Sequence, residues 1–333
     1  MVRASDIVKR MNETPPPVRD HASDLVRLSS FTRQEAPGEV TSPLGEAASP
    51  FADKKKPVPE IVVHNVDDIY LTARTYMEGV RDSVKNHTPV ELAPAIALID
   101  KIANSPDLLL SIHPLTLKFG NEGDYDILQP VHTMIYAMRL GLRLKYPVPK
   151  LIELGVATLL QNIGMFLVPD SIINKSGNLT DAEVGMIKKH PEMCREVLLP
   201  YEKDYPWLIQ TIQQHHEREN GKGYPRGLKG DEICEYAKII GICDSYEAMT
   251  HNRPHKKALM QFDSVRQLIE SKERLFPPQI LKVFLEEMSL YPIGSYVKLN
   301  NGAIGRVCRT NRSLPMKPVI NLIFDGLGKR AEG

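Results

Sequence analysis

No two cysteines in this 333-residue chain stand at CxxC spacing; Cys194, Cys234, Cys243 and Cys308 are scattered. That excludes a zinc ribbon or a disulfide frame, and the expectation is four reduced thiols in a cytoplasmic protein. Charge of one sign is not in excess either. The formal net charge is +1, so there is no basic field to draw nucleic acid as a partner. No apolar run is expected to reach the roughly 18–20 residues of a membrane span. The first residues, "MVRASDIVKRMNE", lack the apolar core of a signal peptide. There is no internal repeat, and no receiver or sensor domain is recognisable upstream. What remains, at 42% hydrophobic and 25% charged residues, is the composition of an ordinary globular chain with one large domain or two smaller ones.

Residues 1–59 hold eight of the 26 prolines and read as a flexible tail or linker. Within it, "ASDIVKRM" and "HASDLVRLSSF" could form short amphipathic helices. From Val66 the pattern changes. Val66, Ile69, Tyr70, Ala73, Tyr76, Met77, Val80 and Val84 recur at steps of three and four, which predicts an amphipathic helix. A second helix is predicted to start at Thr88, with Pro89 in its first position and Glu91 completing a capping box. Helical patterning continues through "VHTMIYAMRLGLRL", "KLIELGVATLL", "LTDAEVGMIKKH" (capping box Thr180 with Glu183), "YPWLIQTIQQHHE", "YAKIIGICDSYEAMT", "DSVRQLIE" and "LKVFLEEM". The end of the chain differs. "GSYVKLNNGAIGRVCRT" alternates about Asn301-Gly302, a hairpin signal, and "KPVINLIFD" reads as a third strand. The fold class is therefore all-α with a small C-terminal β appendage.

Several side chains could assemble a buried metal site: His132 early in a helix, His190 at the end of "MIKKH", the pair His215–His216, and Asp244 after the apolar "IIGIC". Each also has an ordinary reading. A lone helical histidine is commonly a core or surface residue, and Asp244 could be hydrogen-bonded to backbone. The glycine-punctuated "HHERENGKGYPRGLKGDEI" narrows the choice, because such a loop suits close approach to a ligand. Two neutral amides, Gln161 and Asn162, end the greasy "LIELGVATLL" helix, where a buried amide needs a hydrogen-bond partner or a ligand.

Taken together, His132, "VPDSIINKSGNLTDAEVGMIKKHPE", "HHE" at 215–217, "GYPRGLKGDEI" at 223–233 and Asp244 with "SYEAMTHNRP" resemble an HD-GYP domain, a bacterial branch of the HD phosphohydrolase superfamily. The resemblance implies an HD-domain helical bundle. Together with the composition and patterning above, it divides the chain into a tail (1–59), an N-terminal helical region (60–126), an HD-GYP-like domain (127–291) and a β extension (292–333). It implies metal ligands at His132, His190, His215, His216 and Asp244, with iron or manganese the usual ions. It also implies a nucleotide-facing loop of Gly223, Tyr224 and Pro225, with Arg253 and Lys256, and hydrolysis of cyclic di-GMP, ultimately to GMP. His255 stands where the family often has tyrosine.

The chain departs from the pattern His-Asp-x-Gly-Lys, for it reads Gln161, Asn162, Ile163, Gly164, Met165. A glutamate ligand of three-metal members would fall on Leu128. Two divalent ions 3.5–4 Å apart repel by roughly 16 kcal/mol at an effective dielectric of 20, which a bridging carboxylate normally offsets. Asn162 brings no such charge. The expectation is at most one ion (iron, manganese or zinc) and no two-metal centre. The function expected is that of a degenerate, non-catalytic member. It would act as a cyclic di-GMP receptor or as a partner of a signalling protein such as a diguanylate cyclase. The alternative is an active phosphodiesterase with a mononuclear site.

Overall fold

The structure is a computed structural model and describes residues 65–118, 124–252, 257–270, 274–288, 291, 295–309, 311 and 317–331. The tail expected over 1–59, with its two short helices, lies outside the described residues, as do Arg253, His255 and Lys256.

Helix α1 (Val66–Lys85) follows the predicted register, burying Ile69, Tyr70, Ala73, Met77, Val80 and Val84. Asn65 caps it, its side chain accepting from Asp68 N at 2.9 Å. Helix α2 runs from Ala93 to Ala103, not from Thr88. The predicted Thr88–Glu91 capping box is absent; Thr88 Oγ1 donates to Ser83 O instead. Pro94 explains the shift. A helix begun at Thr88 would carry Pro94 in its interior, where the ring clashes with a carbonyl and no N–H is available; only the first turn tolerates it. Helix α3 (Pro106–Lys118) escaped the periodicity reading, although Ser105-Pro106-Asp107 carries the residue types of a helix start.

Helix α4 (Tyr125–Arg143) and α5 (Val148–Leu160) form the centre of the bundle. Val148–Leu167 is, against expectation, long and apolar enough to cross a membrane by length and composition, but 72% of its apolar window is buried inside the fold. Its greasiness on all sides is that of a central core helix. A 3-10 turn (Ile163–Leu167) follows, then α6 (Asp170–Ile173), α7 (Asp181–Ile187), α8 (His190–Leu198) and α9 (Pro206–Gln214). The Thr180–Glu183 capping box forms as predicted. His190 does not end its helix: α7 stops at Ile187 and His190 opens α8, because Pro191 suits only a first turn. Helices α10 (Glu235–Thr250), α11 (Gln261–Glu270) and α12 (Pro278–Glu287) complete an α-helical bundle.

Beyond it, β1 (Tyr296–Lys298), β2 (Ile304–Arg309) and β3 (Val319–Phe324) form an antiparallel sheet in that order. Val297 pairs with Gly305 and Val307 with Ile320. The hairpin turns at Asn301-Gly302, where Gly302 takes a φ of +87°, conformational space that favours glycine.

Candidate functional site

The 3-10 turn after α5 lies directly on the start of α8. Gly164 N donates to Cys194 Sγ at 3.1 Å, and that thiol donates to Gln161 O at 3.1 Å. A Cβ at Gly164 would fall on the His190 carbonyl oxygen and 2.7 Å from Cys194 N, so only glycine fits. This contact sets the amide pair 161–162 beside the start of α8.

His190, His215 and His216 converge, with one ring nitrogen from each within 4.8 Å of the others. His190 Nδ1 lies 2.8 Å from Ile187 O and His215 Nδ1 lies 2.6 Å from Ile212 O. A carbonyl only accepts, so both Nδ1 atoms carry the proton and both Nε2 atoms present lone pairs. Those two Nε2 atoms face each other at 3.3 Å. Burial, with the neighbouring His215 second, drives His190 down to about 3, and burial drives His215 down to about 4. Two facing lone pairs on buried neutral rings suit a cation between them, and three imidazoles suit a single zinc, iron or manganese ion.

The glycine loop covers this pair. Gly223 packs so closely that a Cβ there would lie 2.5 Å from both Glu217 Cα and His216 O. Tyr224 N donates to His216 O at 3.2 Å, and its ring stacks on His216 at 4.6 Å between centroids. The Tyr224–Pro225 peptide bond is cis. Glu217, buried, anchors the loop by accepting from Arg226 N at 2.7 Å and Leu228 N at 2.9 Å.

Asp244 and His132 go to different places. Asp244, with Asn162, Met165, His216 and Tyr224, lines a cavity of about 210 Å³. His132 does not line it. The α4 residues that do are Tyr125, Asp126 and Gln129, and Gln129 lies one turn before His132. Gln129 Nε2 donates to Asp244 Oδ1, and Asn162 Nδ2 donates to Gln129 Oε1 at 2.8 Å. Asn162, Gln129 and Asp244 thus form a directed chain that hands each donor to an acceptor. Gln161 is wholly buried, and among the described residues neither of its amide atoms has a hydrogen-bond partner; Asn162 Oδ1 has none there either. An adjoining cavity of about 710 Å³ shares Tyr125, Asp126, Met165 and Ile187 with the first and reaches Asn252. Leu128 is a core residue.

His132 instead joins Glu247 and His251 in a second group whose potential ligand atoms also lie within 4.8 Å of one another. Its Nε2 is 2.7 Å from Tyr70 Oη and its Nδ1 is 3.4 Å from Glu247 Oε1. His251 Nδ1 is 3.0 Å from the same oxygen. Burial works to raise Glu247, but hydrogen bonds from His132 and His251 outweigh it and hold the carboxyl at about 2. Either histidine group could hold one metal ion. Gln129, Glu217, Glu247 and His251 were not singled out by spacing. Gln129 carried one signal, a polar side chain one helical turn before His132 on the buried stretch "DILQPVH".

An all-α bundle with a histidine-rich centre under a glycine loop defines a class. Residues 107–280 match the HD domain family, and residues 296–333 match the KOW domain associated with HD domain. The chain belongs to the HD domain family and resembles its HD-GYP and cyclic di-GMP phosphodiesterase members. It is 33% identical over 244 residues to the cyclic di-GMP phosphodiesterase PA4108 of Pseudomonas aeruginosa, covering 72% of this chain and 58% of that one. It is 30% identical over 201 residues to the cyclic di-GMP phosphodiesterase PdeB of Borreliella burgdorferi, covering 60% of this chain and 53% of the relative. The chain thus spans little more than half the length of these relatives. Among solved structures, Bd1817, an HDG"Y"P protein from Bdellovibrio bacteriovorus, shares the fold at a TM-score of 0.51 and 17% identity, covering 66% of this chain and 70% of that one. These relatives tie the family to bacterial cyclic di-GMP signalling.

Proposed function

We propose that this chain is a non-hydrolysing HD-GYP-like protein that holds one divalent ion at His190, His215 and His216. In this reading it binds a cyclic dinucleotide in the adjoining cavities as a receptor. The observation that carries the reading is the chain of hydrogen bonds from Asn162 through Gln129 to Asp244. Where a second ion would need charged ligands, two neutral amides and one carboxylate are hydrogen-bonded in series. With Gln129 in the place expected for His132, Asp244 is the single strong ligand left there. A second ion would have to displace the Gln129 hydrogen bond to Asp244 and would gain only weak amide oxygens, such as Asn162 Oδ1, in return.

The remaining ion, when bound, supplies Lewis acidity toward a phosphate oxygen. The protein's own residues orient the ligand. Tyr224, stacked on His216, lines the smaller cavity, and Gly223 and Pro225 flank it on the loop. Met165 lines both cavities where the family pattern has lysine, so no cation from that position meets the phosphate. Asp244 and Asp126 also line the smaller cavity and oppose charge build-up on a pentavalent phosphorus, which disfavours hydrolysis and tolerates binding. Arg253 and Lys256 are assigned to the nucleotide on the resemblance alone.

The test pairs binding with turnover. The purified chain, supplied with manganese, iron or zinc, is titrated with cyclic di-GMP by calorimetry and assayed for linear dinucleotide and GMP by chromatography. Saturable binding without product is expected, and Tyr224→Ala should weaken that binding. Metal-dependent product that disappears in His215→Ala would establish the second reading, a mononuclear phosphodiesterase. Neither binding nor turnover would favour a protein-interaction role, for example with a diguanylate cyclase.

A further inference from the structure

We propose that His132, Glu247 and His251 form a second, enclosed mononuclear metal site, separate from the three-histidine set, whose ion fastens α4 to the end of α10. The ligand class is a divalent ion that accepts mixed nitrogen and oxygen donors, with zinc as the leading candidate.

The geometry points there through both its inner and its outer atoms. His132 Nδ1, His251 Nδ1 and Glu247 Oε1 converge. The two nitrogen–oxygen separations are 3.4 and 3.0 Å and share one oxygen. Ligands about 2.0–2.2 Å from a tetrahedral zinc ion stand roughly 3.3 Å apart, so these spacings are those of neighbouring ligands around one ion. The His132 separation of 3.4 Å is long for a hydrogen bond, whereas the His251 separation of 3.0 Å fits either a hydrogen bond or a shared ion.

The outer atoms are each held by a different element. His132 Nε2 meets the Tyr70 hydroxyl of α1 at 2.7 Å. His251 Nε2 donates to Thr116 O of α3 at 3.1 Å. The Tyr125 hydroxyl, at the start of α4, donates to Glu247 Oε2 at 2.6 Å. Metal-bound histidines and carboxylates characteristically have their far atoms fixed in this way, which aims the near atoms inward. His251 Nε2 faces Thr116 O at 3.1 Å, while its Nδ1 faces Glu247 Oε1 at 3.0 Å and the Glu247 carbonyl oxygen at 3.2 Å, so a proton on Nδ1 and a metal ion compete for the same position.

Burial sharpens that competition. Glu247 and His132 are 0% exposed and His251 is 4% exposed, and a carboxylate so deep needs hydrogen-bond donors or a cation beside it. Thr250 Oγ1, 3.3 Å from His251 Nδ1, is a further side-chain oxygen close to the group. Such a site is closed to substrate and would form as the chain folds.

The experiment counts zinc on the full-length chain after loading and desalting, by plasma mass spectrometry, in wild type, His215→Ala, His251→Gln and a variant carrying both changes. Two zinc per wild-type chain, one in each single variant and none in the combined variant are expected. Cobalt loaded into His215→Ala should give a visible d–d spectrum that His251→Gln, added to it, abolishes. A wild-type chain holding only the ion lost in His215→Ala would overturn this site, show that a proton on His251 fills it, and leave the three-histidine reading standing. Loss of the only ion in His251→Gln would do the reverse. If His251→Gln does not fold by circular dichroism, the reading rests on His215→Ala, which keeps the whole second group: one zinc per chain supports the site and none overturns it.

Discussion

At Gly164 one missing methyl group sets the distance between the amide turn and the histidine helix. Gly164→Ala would push a Cβ onto the His190 carbonyl oxygen, a backbone atom that cannot swing away. Overpacking of this kind costs roughly 1–3 kcal/mol. A lower denaturant midpoint at unchanged slope is expected, together with weaker metal retention; a wild-type midpoint would show that the turn and α8 are not held in contact. Gln129 is the other residue where a single side chain decides the chemistry. His132 and Gln129 lie three positions apart on α4, only about 60° apart around the helix, and sequence offers no way to tell which faces the cavity. Residue type favoured the histidine, and the packing of α4 against α10 puts the glutamine beside Asp244 instead. The consequence can be measured. Gln161→His with Asn162→Asp should not by itself create a second ion site next to the three histidines, because Gln129 still donates to Asp244. Adding Gln129→His should raise bound manganese by one equivalent over that double variant. An extra equivalent in the double variant alone would remove Gln129 from the account.

Among the elements, α7 shows how a short helix is held by its first turn. Glu183 accepts from Thr180 N at 2.7 Å and from Lys175 Nζ at 2.7 Å. The Lys175 hydrogen bond first, and the Thr180 backbone bond second, hold Glu183 at about 2 against an ordinary 4.5. The folded state therefore binds this proton less readily than the unfolded state. Its stabilising effect is complete above about pH 4.5 and is lost as the pH falls toward 2. Glu183→Gln should flatten that part of the stability curve in acid-titration denaturation while leaving the neutral-to-alkaline limb parallel to wild type; an unchanged acid limb would show the box to be broken in solution. This box was legible because its signal is local, Thr-x-x-Glu before a helix. The same signal at Thr88–Glu91 misled, because a second proline three residues further on overrules it. Element existence was thus readable from periodicity in α1, α7 and the Asn301-Gly302 hairpin, whereas α3 and the start of α8 depended on prolines whose helical position only the fold reveals. The candidate site was half legible in the same sense. His190, His215 and His216 do meet, through the close contact at Gly164 and the loop fixed by Glu217, but the sorting of His132 into another cluster depends on Tyr70, Thr116 and Glu247, which are far from it in the chain.

For the whole molecule, the helical body and the sheet draw their stability from different sources. The continuous hydrophobic core runs from Ile69 to Met288 and includes no residue of β1, β2 or β3. Tyr291 still rests on the body, its ring 5.6 Å from that of Phe262. The strands hydrogen-bond to one another, and Ala303 and Val307 are buried outside that core cluster. A chain ending after Tyr291 should therefore keep the core, both histidine groups and the loop over His216. Its melting temperature by circular dichroism should stay within about 2 °C of full length, which for a body of this size corresponds to less than about 1 kcal/mol. Its metal content should be unchanged. A fall of more than about 5 °C would mean that the sheet caps the bundle and that body and appendage fold as one cooperative unit. The match of residues 296–333 to a domain found in association with HD domains makes the first outcome the more informative one. A segment that accompanies the fold without supporting its core is retained for something other than stability, and its effect should then be sought in ligand or partner binding measured on the two lengths of chain side by side.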